Sequence, residues 1–291
     1  MAYDNFIPEV WKKKIEHDLA KLCVFAEDCN RKYEGDVKQC GDTVHILTSG
    51  KPTIKTLTRD NANSEIDAAE MPEGTDTVLV IDQIRYFNFK VGDIDKAQAV
   101  DGVLDELTQE ADEGLADEVD QYLAKLHLKE VEGEDGTTLA PVDGVSVVAQ
   151  PALTKDNVLD LFDDGQQILQ EHNVKSSTKV VVTIPPAVNK LFKKAYIKED
   201  TNNHEEMKNG KIAMYSGITV KLSNNVLKEA DGTYHMQMKT QRALAYAQPL
   251  RHVEPYRPEK SFADAVKGFI LFGAKVVRPA EIVDLQAKIA A

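Results

Sequence analysis

Residues 85–99 read RYFNFKVGDIDKAQA: an extended aromatic stretch, a glycine, and then the start of an acidic helix. Successive side chains of a strand point to opposite faces. Tyr86, Asn88 and Lys90 therefore share one side, and Phe87, Phe89 and Val91 the other. Apolar mass falls on both. A strand packed only on its own domain needs it on one face, so Tyr86, Phe87 and Phe89 are expected to find cover on another copy of the chain.

The preceding segment supplies extended stretches, VKQCGDTVHIL and TIKTLT, in which Val44 and Ile46 face opposite to Thr43 and His45. A second extended run follows at 77–91. Between them lies RDNANSEIDAAEMPEGT, residues 59–75, rich in Asp, Asn, Glu and Ala. Together these predict a long antiparallel two-stranded finger with a polar, acidic tip that carries Met71. A two-stranded ribbon is marginal in water because it has a face to bury and no layer to bury it against.

Asp93 offers an N-cap, and residues 94–128 read as one helix. Its apolar stripe is Val100, Val103, Leu104, Leu107, Ala111, Leu115, Val119, Tyr122 and Leu126. At 1.5 Å per residue it would span roughly 50 Å. Asp101, Asp105, Glu106, Glu110, Asp112, Glu113, Asp117, Glu118 and Asp120 are assigned to its outer face, with no basic residue between Lys96 and Lys125. Pairing along the helix cannot offset their repulsion. Asp105, Asp112, Glu113 and Asp117 are the candidate core of a face kept anionic, to avoid nucleic acid or to attract a basic partner.

Ahead of the finger, Trp11, Ile15, Leu19 and Leu22 recur at helical spacing after Pro8, an amphipathic N-terminal arm without an evident partner in the next segment. Trp11 is a candidate inter-subunit contact. Beyond the long helix, VEGEDGTTLAPVDG reads as a loop. A compact α+β region follows, with helices near 154–172 (Thr154 as cap) and 186–197. Its strands are expected at 179–184, 212–215, 218–222, 235–239 and 243–248. Pro185-Pro186 ends a strand and opens a helix, and Asn209-Gly210 is a hairpin-type turn. The last 26 residues hold two strands about a Pro279 break and should return to the sheet beside the long helix.

The search for chemistry selects no catalytic, cofactor or metal residue. The seven histidines make no His-Glu-x-x-His or His-x-His pairing. No phosphate-binding glycine loop, dinucleotide turn or nucleophile elbow is found. Asp and Glu outnumber Lys and Arg 48 to 35, for a formal charge of −13, which argues against a surface that grips phosphate backbones. Cys23, Cys29 and Cys40 match no zinc or redox spacing, so reduced thiols in a cytosolic compartment are expected. No apolar run approaches the roughly 20 residues that cross a bilayer, and no membrane partner is expected.

The order of these parts carries a resemblance. An arm, a finger, the step FNFKVGDIDKAQA, a long acidic helix, an α+β region with KVVVTIPPAVNKLFKKA and NGKIAMYSGITVKLSNNV, and the close EPYRPEKSFADAVKGFILFGAKVVRPAEIVDL resemble the major capsid proteins of tailed bacteriophages with the HK97 fold. The close is the most specific element, through Phe262, Gly268, Leu271, Gly273 and Val276-Val277-Arg278-Pro279. The resemblance implies an α+β fold with an N-terminal arm at 1–37, an extended loop at 38–92 and a peripheral domain with its spine helix at 93–149. It further implies an axial domain at 150–251 and peripheral C-terminal strands at 252–291. It implies hexamers and pentamers of an icosahedral shell assembled in the host bacterial cytoplasm, a portal protein, and a virion enclosing double-stranded DNA without sequence-specific binding. The chain begins almost at its arm, so a separate scaffolding protein is expected. Residues 266–291 contain no asparagine and 60–76 no lysine, so Lys-to-Asn cross-linking of the shell is not expected. The alternatives are an encapsulin-like shell around protein cargo and, in another class, an acidic cytosolic enzyme.

Overall fold

The structure, a computed structural model, describes residues 24–32, 43–48, 52–56, 68–71, 74–92, 103–133, 136–198, 214–260 and 262–290. The elements run α1 (Val24–Glu27), β1 (Thr43–Thr48), β2 (Thr75–Val80), β3 (Gln83–Gly92) and α2 (Val103–Lys125). They continue β4 (Leu128–Gly133), β5 (Gly136–Pro141), β6 (Ser146–Leu153), α3 (Val158–Glu171), β7 (Val180–Ile184) and α4 (Pro186–Lys198). The remainder is β8 (Met214–Tyr215), β9 (Ile218–Leu222), β10 (Leu227–Lys228), β11 (Thr233–Thr240), β12 (Leu244–Tyr256), β13 (Ala263–Val276) and β14 (Ile282–Ile289).

The finger forms as β1 antiparallel to β2, Thr43 opposite Val80 and Thr48 opposite Thr75. Beyond this ladder the Thr53 N–H donates to the carboxylate of Glu70. The aromatic stretch does not belong to it. The chain breaks at Ile81–Asp82, and β3 leaves to pair antiparallel with β13, from Gln83 opposite Phe272 to Gly92 opposite Ala263. With β12 this makes a three-stranded sheet in the order β12-β13-β3. Gly273 marks the crossing of finger and sheet: a Cβ there would lie 2.4 Å from the carbonyl oxygen of Val80. Ile46, Leu79 and Ile81 seal the root against Ala245, Ala247 and Leu271.

A larger mixed sheet runs β6-β14-β11-β7-β9-β8, with β10 on β11. β14 lies inside it, next to the edge strand, antiparallel to β11 and parallel to β6. The final strand therefore joins this larger sheet, where it meets the end of the long helix through Asp284 and His127, while β13 meets that helix through Phe272, whose ring contacts Tyr122 of α2 edge-on at 5.4 Å. The segment read as a loop folds into the hairpin β4–β5, and β6, also missed, supplies the sheet edge. Helix α3 is preceded by Asn157, not capped by Thr154: the Asn157 carboxamide oxygen accepts from the Thr154 N–H at 2.7 Å.

Helix α2 has 23 described residues, about 35 Å. The proposed cap Asp93, the first turns near Val100, and Asn209-Gly210 lie outside the described residues. Leu115, Ala116, Val119, Leu123 and Ala124 bury its inner face. Asp120 sits among them and does not belong to the outer face: it is buried and accepts from the N–H groups of Val24 and Phe25, both at 3.2 Å. A carboxylate at a helix start satisfies donors that have no partner inside the helix. The end of the N-terminal arm is thereby fastened, with Phe25 buried in the main core and Asn30 bridging to Ala245.

Candidate functional sites

Three features could do something: the apolar surface of finger and sheet, the acidic face of α2, and a polar cluster buried beneath α2.

On the three-stranded sheet the alternation of β3 splits as the sequence demands, but the cover differs. Phe87 and Phe89 stack at 5.8 Å between centroids and pack on Val253 and Val266 of their own chain. Phe87 lies over Gly268, where a Cβ would meet its ring at 2.6 Å, so the glycine makes room for the aromatic. Both are half-buried against their own chain, which leaves part of each ring open. Tyr86 is the ring left outside, 77% exposed, with Ile84 beside it. It borders a groove of about 350 Å³ lined also by Asn88, His252, Glu254, Lys267 and Phe269. On the finger, Leu47 is 80% and Met71 94% exposed. Trp11 lies outside the described residues.

Along α2, Glu110, Glu113, Asp117 and Glu118 are exposed. Asp105 and Asp112 lie on the same helix, their side chains outside the described residues. The face is not wholly without positive charge: Arg85 of β3 reaches Glu118 at 3.3 Å. Asn225 donates to Asp117 at 3.0 Å.

The cluster beneath α2 escaped sequence reasoning. Strand β11, YHMQMK in its middle, alternates polar residues with methionine and is buried on both faces. His235, Gln237 and Lys239 share the face turned toward α1 and α2. The Gln237 amide nitrogen contacts the carbonyl oxygens of Leu123 (2.7 Å) and Ala124 (2.9 Å) and the Nδ1 of His127 (2.8 Å). It thus satisfies carbonyls that the end of α2 leaves open. His127 Nε2 and His235 Nδ1 meet the two oxygens of Asp284 on β14 at 3.1 and 2.9 Å. Glu229 lies 3.2 Å from the other nitrogen of His235.

Among the described residues, His127, His235 and Asp284 are the trio close enough to hold a metal ion, and all three are buried. The Gln237 amide against His127 argues against one. An amide nitrogen that faces two carbonyls must be the donor end, so His127 Nδ1 accepts and His127 Nε2 carries the proton that it gives to Asp284. A metal on Nε2 would move that proton to Nδ1, against the Gln237 NH2. The trio is a hydrogen-bonded lock. Burial works against the Asp284 charge, but the hydrogen bonds from His127 and His235 outweigh it and hold the carboxyl below its ordinary range. Burial likewise opposes the charge of His235, and Asp284 with Glu229 outweighs it and raises its pKa. No local signal could have found this set, because its members stand 49 and 157 residues apart.

No protein-family model matches the chain, and neither does any curated protein sequence. Solved structures do match. The chain is similar to one from Mycobacterium phage Che8 at 25% identity and a TM-score of 0.73, over 90% of each chain. It is similar to the capsid structure of the Cyanophage P-SCSP1u at 14% identity and a TM-score of 0.63, over 87% of this chain and 85% of that one. It is similar to the asymmetric unit of the bacteriophage PhiM1 mature capsid at 16% identity and a TM-score of 0.61, over 89% and 87%. The chain has the α+β fold of phage capsid proteins.

Proposed function

We propose that this chain, with the fold of phage capsid proteins of the HK97 type, is the repeating subunit of an icosahedral phage capsid around double-stranded DNA. The observation that carries the reading is the likeness to the phage structures across nine-tenths of the chain. The surface supports it. The described ribbon, six residues in each strand, extends about 20 Å at the rise of a strand, with Leu47 and Met71 bare. Hexamers and pentamers are built from heterologous contacts that close because one subunit tolerates several environments. In this reading Met71, Tyr86 and Trp11 meet neighbouring copies, and Phe87 and Phe89 contribute only the rims that their own sheet leaves open. The acidic face with Asp105, Asp112, Glu113 and Asp117 turns inward. There it repels packaged DNA and holds a basic segment of a scaffolding protein; a portal occupies one vertex, and assembly takes place in the host bacterial cytoplasm. No catalytic role is assigned. The compartment-shell alternative is not favoured by the comparisons and differs in cargo, protein against DNA.

Negative-stain microscopy of the purified chain, alone and coexpressed with its scaffold, tests the reading directly. Closed shells are expected from the full chain. The variant lacking residues 59–75 should stay folded and form none. Small particles from the full chain under every condition, or normal shells from the deletion variant, would overturn it.

A further inference from the structure

Among the described lysines and arginines Lys239 is the most completely buried, with 1% of its surface exposed. Its Nζ stands 5.7 Å over the ring of Phe25 and 3.5 Å from Cys29 Sγ. The ring and the thiol are its partners among the described residues. Two buried carboxylates, Asp28 and Asp120, act on the same thiol, and an ammonium held this far from water is costly all the same. Cys29 is as deeply buried, its thiol donating to the Phe25 carbonyl at 3.2 Å. Burial pushes the thiol's pKa up, and Lys239 pulls against that. Small molecules can reach the thiol: a groove of about 700 Å³, lined also by Arg31, Arg242 and Arg278, has Cys29 in its wall.

We propose that Lys239 and Cys29 are a modification site, at which dioxygen joins them through one oxygen atom as an Nζ–O–Sγ bridge. The neutral amine and the thiol react with one dioxygen to give the bridge and one water. An N–H bond, the S–H bond and the dioxygen bond break; an N–O and an O–S bond form. The two hydrogens leave in the water, and nitrogen and sulfur each surrender two electrons, four in all, to the two oxygen atoms. A lysine that starts as ammonium gives its extra proton to solvent. One oxygen fits between atoms already 3.5 Å apart, and the product removes both the buried charge and the buried thiol. The bridge fastens the end of the N-terminal arm to β11, across 210 residues of sequence, and closing so long a loop restricts the unfolded chain. Its timing rests on the capsid reading: the pair stays open in a reducing cytosol and closes once the particle meets an oxidising medium. The chemistry itself needs no shell.

The test uses the full chain with Cys23→Ser and Cys40→Ser, so that Cys29 is the only thiol, held in air-saturated buffer or in dithiothreitol. In air, the intact mass should rise by one oxygen less two hydrogens. Digestion should join the peptide holding residue 29 to that holding residue 239, and the urea midpoint should rise. Dithiothreitol should reverse all three, and Lys239→Met should abolish the linked peptide. An unchanged mass after prolonged air exposure, or whole oxygens added to Cys29 without linkage, would overturn the proposal. Either result would leave shell formation, read by microscopy, untouched.

Discussion

Asp284→Asn isolates what the buried lock contributes. The substitution keeps the shape and removes the charge between two histidines. Asp284 has no exposed surface, and its oxygens accept from His127, His235 and Gln286. Removing one partner of a buried ion pair costs about 3–5 kcal/mol. Glu229 stays 3.2 Å from His235 and Asn keeps one acceptor, so the low end applies, about 3 kcal/mol. For a chain of this size that moves a urea midpoint down by about 1 M. The sign with pH follows from the two shifts. Asp284, held below its ordinary pKa, adds stability above about pH 4, and that share is lost as pH falls through its folded value. His235, held above its ordinary pKa, adds stability that is full below about pH 6.5 and is lost as pH rises through its folded value. The loss in Asp284→Asn should therefore be largest near pH 6 and shrink as pH rises through the folded value of His235. Urea midpoints of the unassembled subunit near pH 6 and at alkaline pH measure it. A loss under about 1 kcal/mol near pH 6, or one of equal size at both, would refute the ionic account.

Two further substitutions separate surface from interior. Tyr86→Asp alters a ring with little to lose in its own chain, so the urea midpoint should stay within about 0.5 kcal/mol of the parent, while shells should be lost under the electron microscope. Asp120→Ala removes the acceptor for two N–H groups of α1 and should cost about 1–2 kcal/mol, read as faster limited proteolysis near residue 30.

What the sequence made legible was local. The strand at 218–222 and the helix opening at Pro186 stand where periodicity and turn chemistry put them, because alternation within one strand and the backbone of Pro185-Pro186 act locally. The failures concern partners. The run at 77–91 has strand character throughout, and nothing local reveals that Ile81–Asp82 breaks it or that β3 pairs with a strand some 180 residues away. VEGEDGTTLAPVDG looks like a loop because its hairpin carries so few large apolar residues. The His127–His235–Asp284 lock was invisible for the same reason: its residues converge only when the end of α2 is laid over β11 and β14. Asp120 was misassigned because an acidic residue amid other acidic residues reads as outer face until its capping role for α1 is seen.

These features divide the chain into a part held fixed and a part held out. Buried polar groups confer uniqueness only when satisfied, and on β11 the side chains of His235, Gln237 and Lys239 fasten β14, the end of α2 and the end of the arm respectively. The finger begins from that fixed body, where Gly273 lets the Val80 carbonyl approach more closely than any side chain would permit. Its direction is set at the root, while Leu47 and Met71 farther out are left bare. A subunit that must meet several environments gains from this division. A root that pivoted would lose the register of neighbouring copies, and an outer finger buried on its own body would have nothing left to offer them.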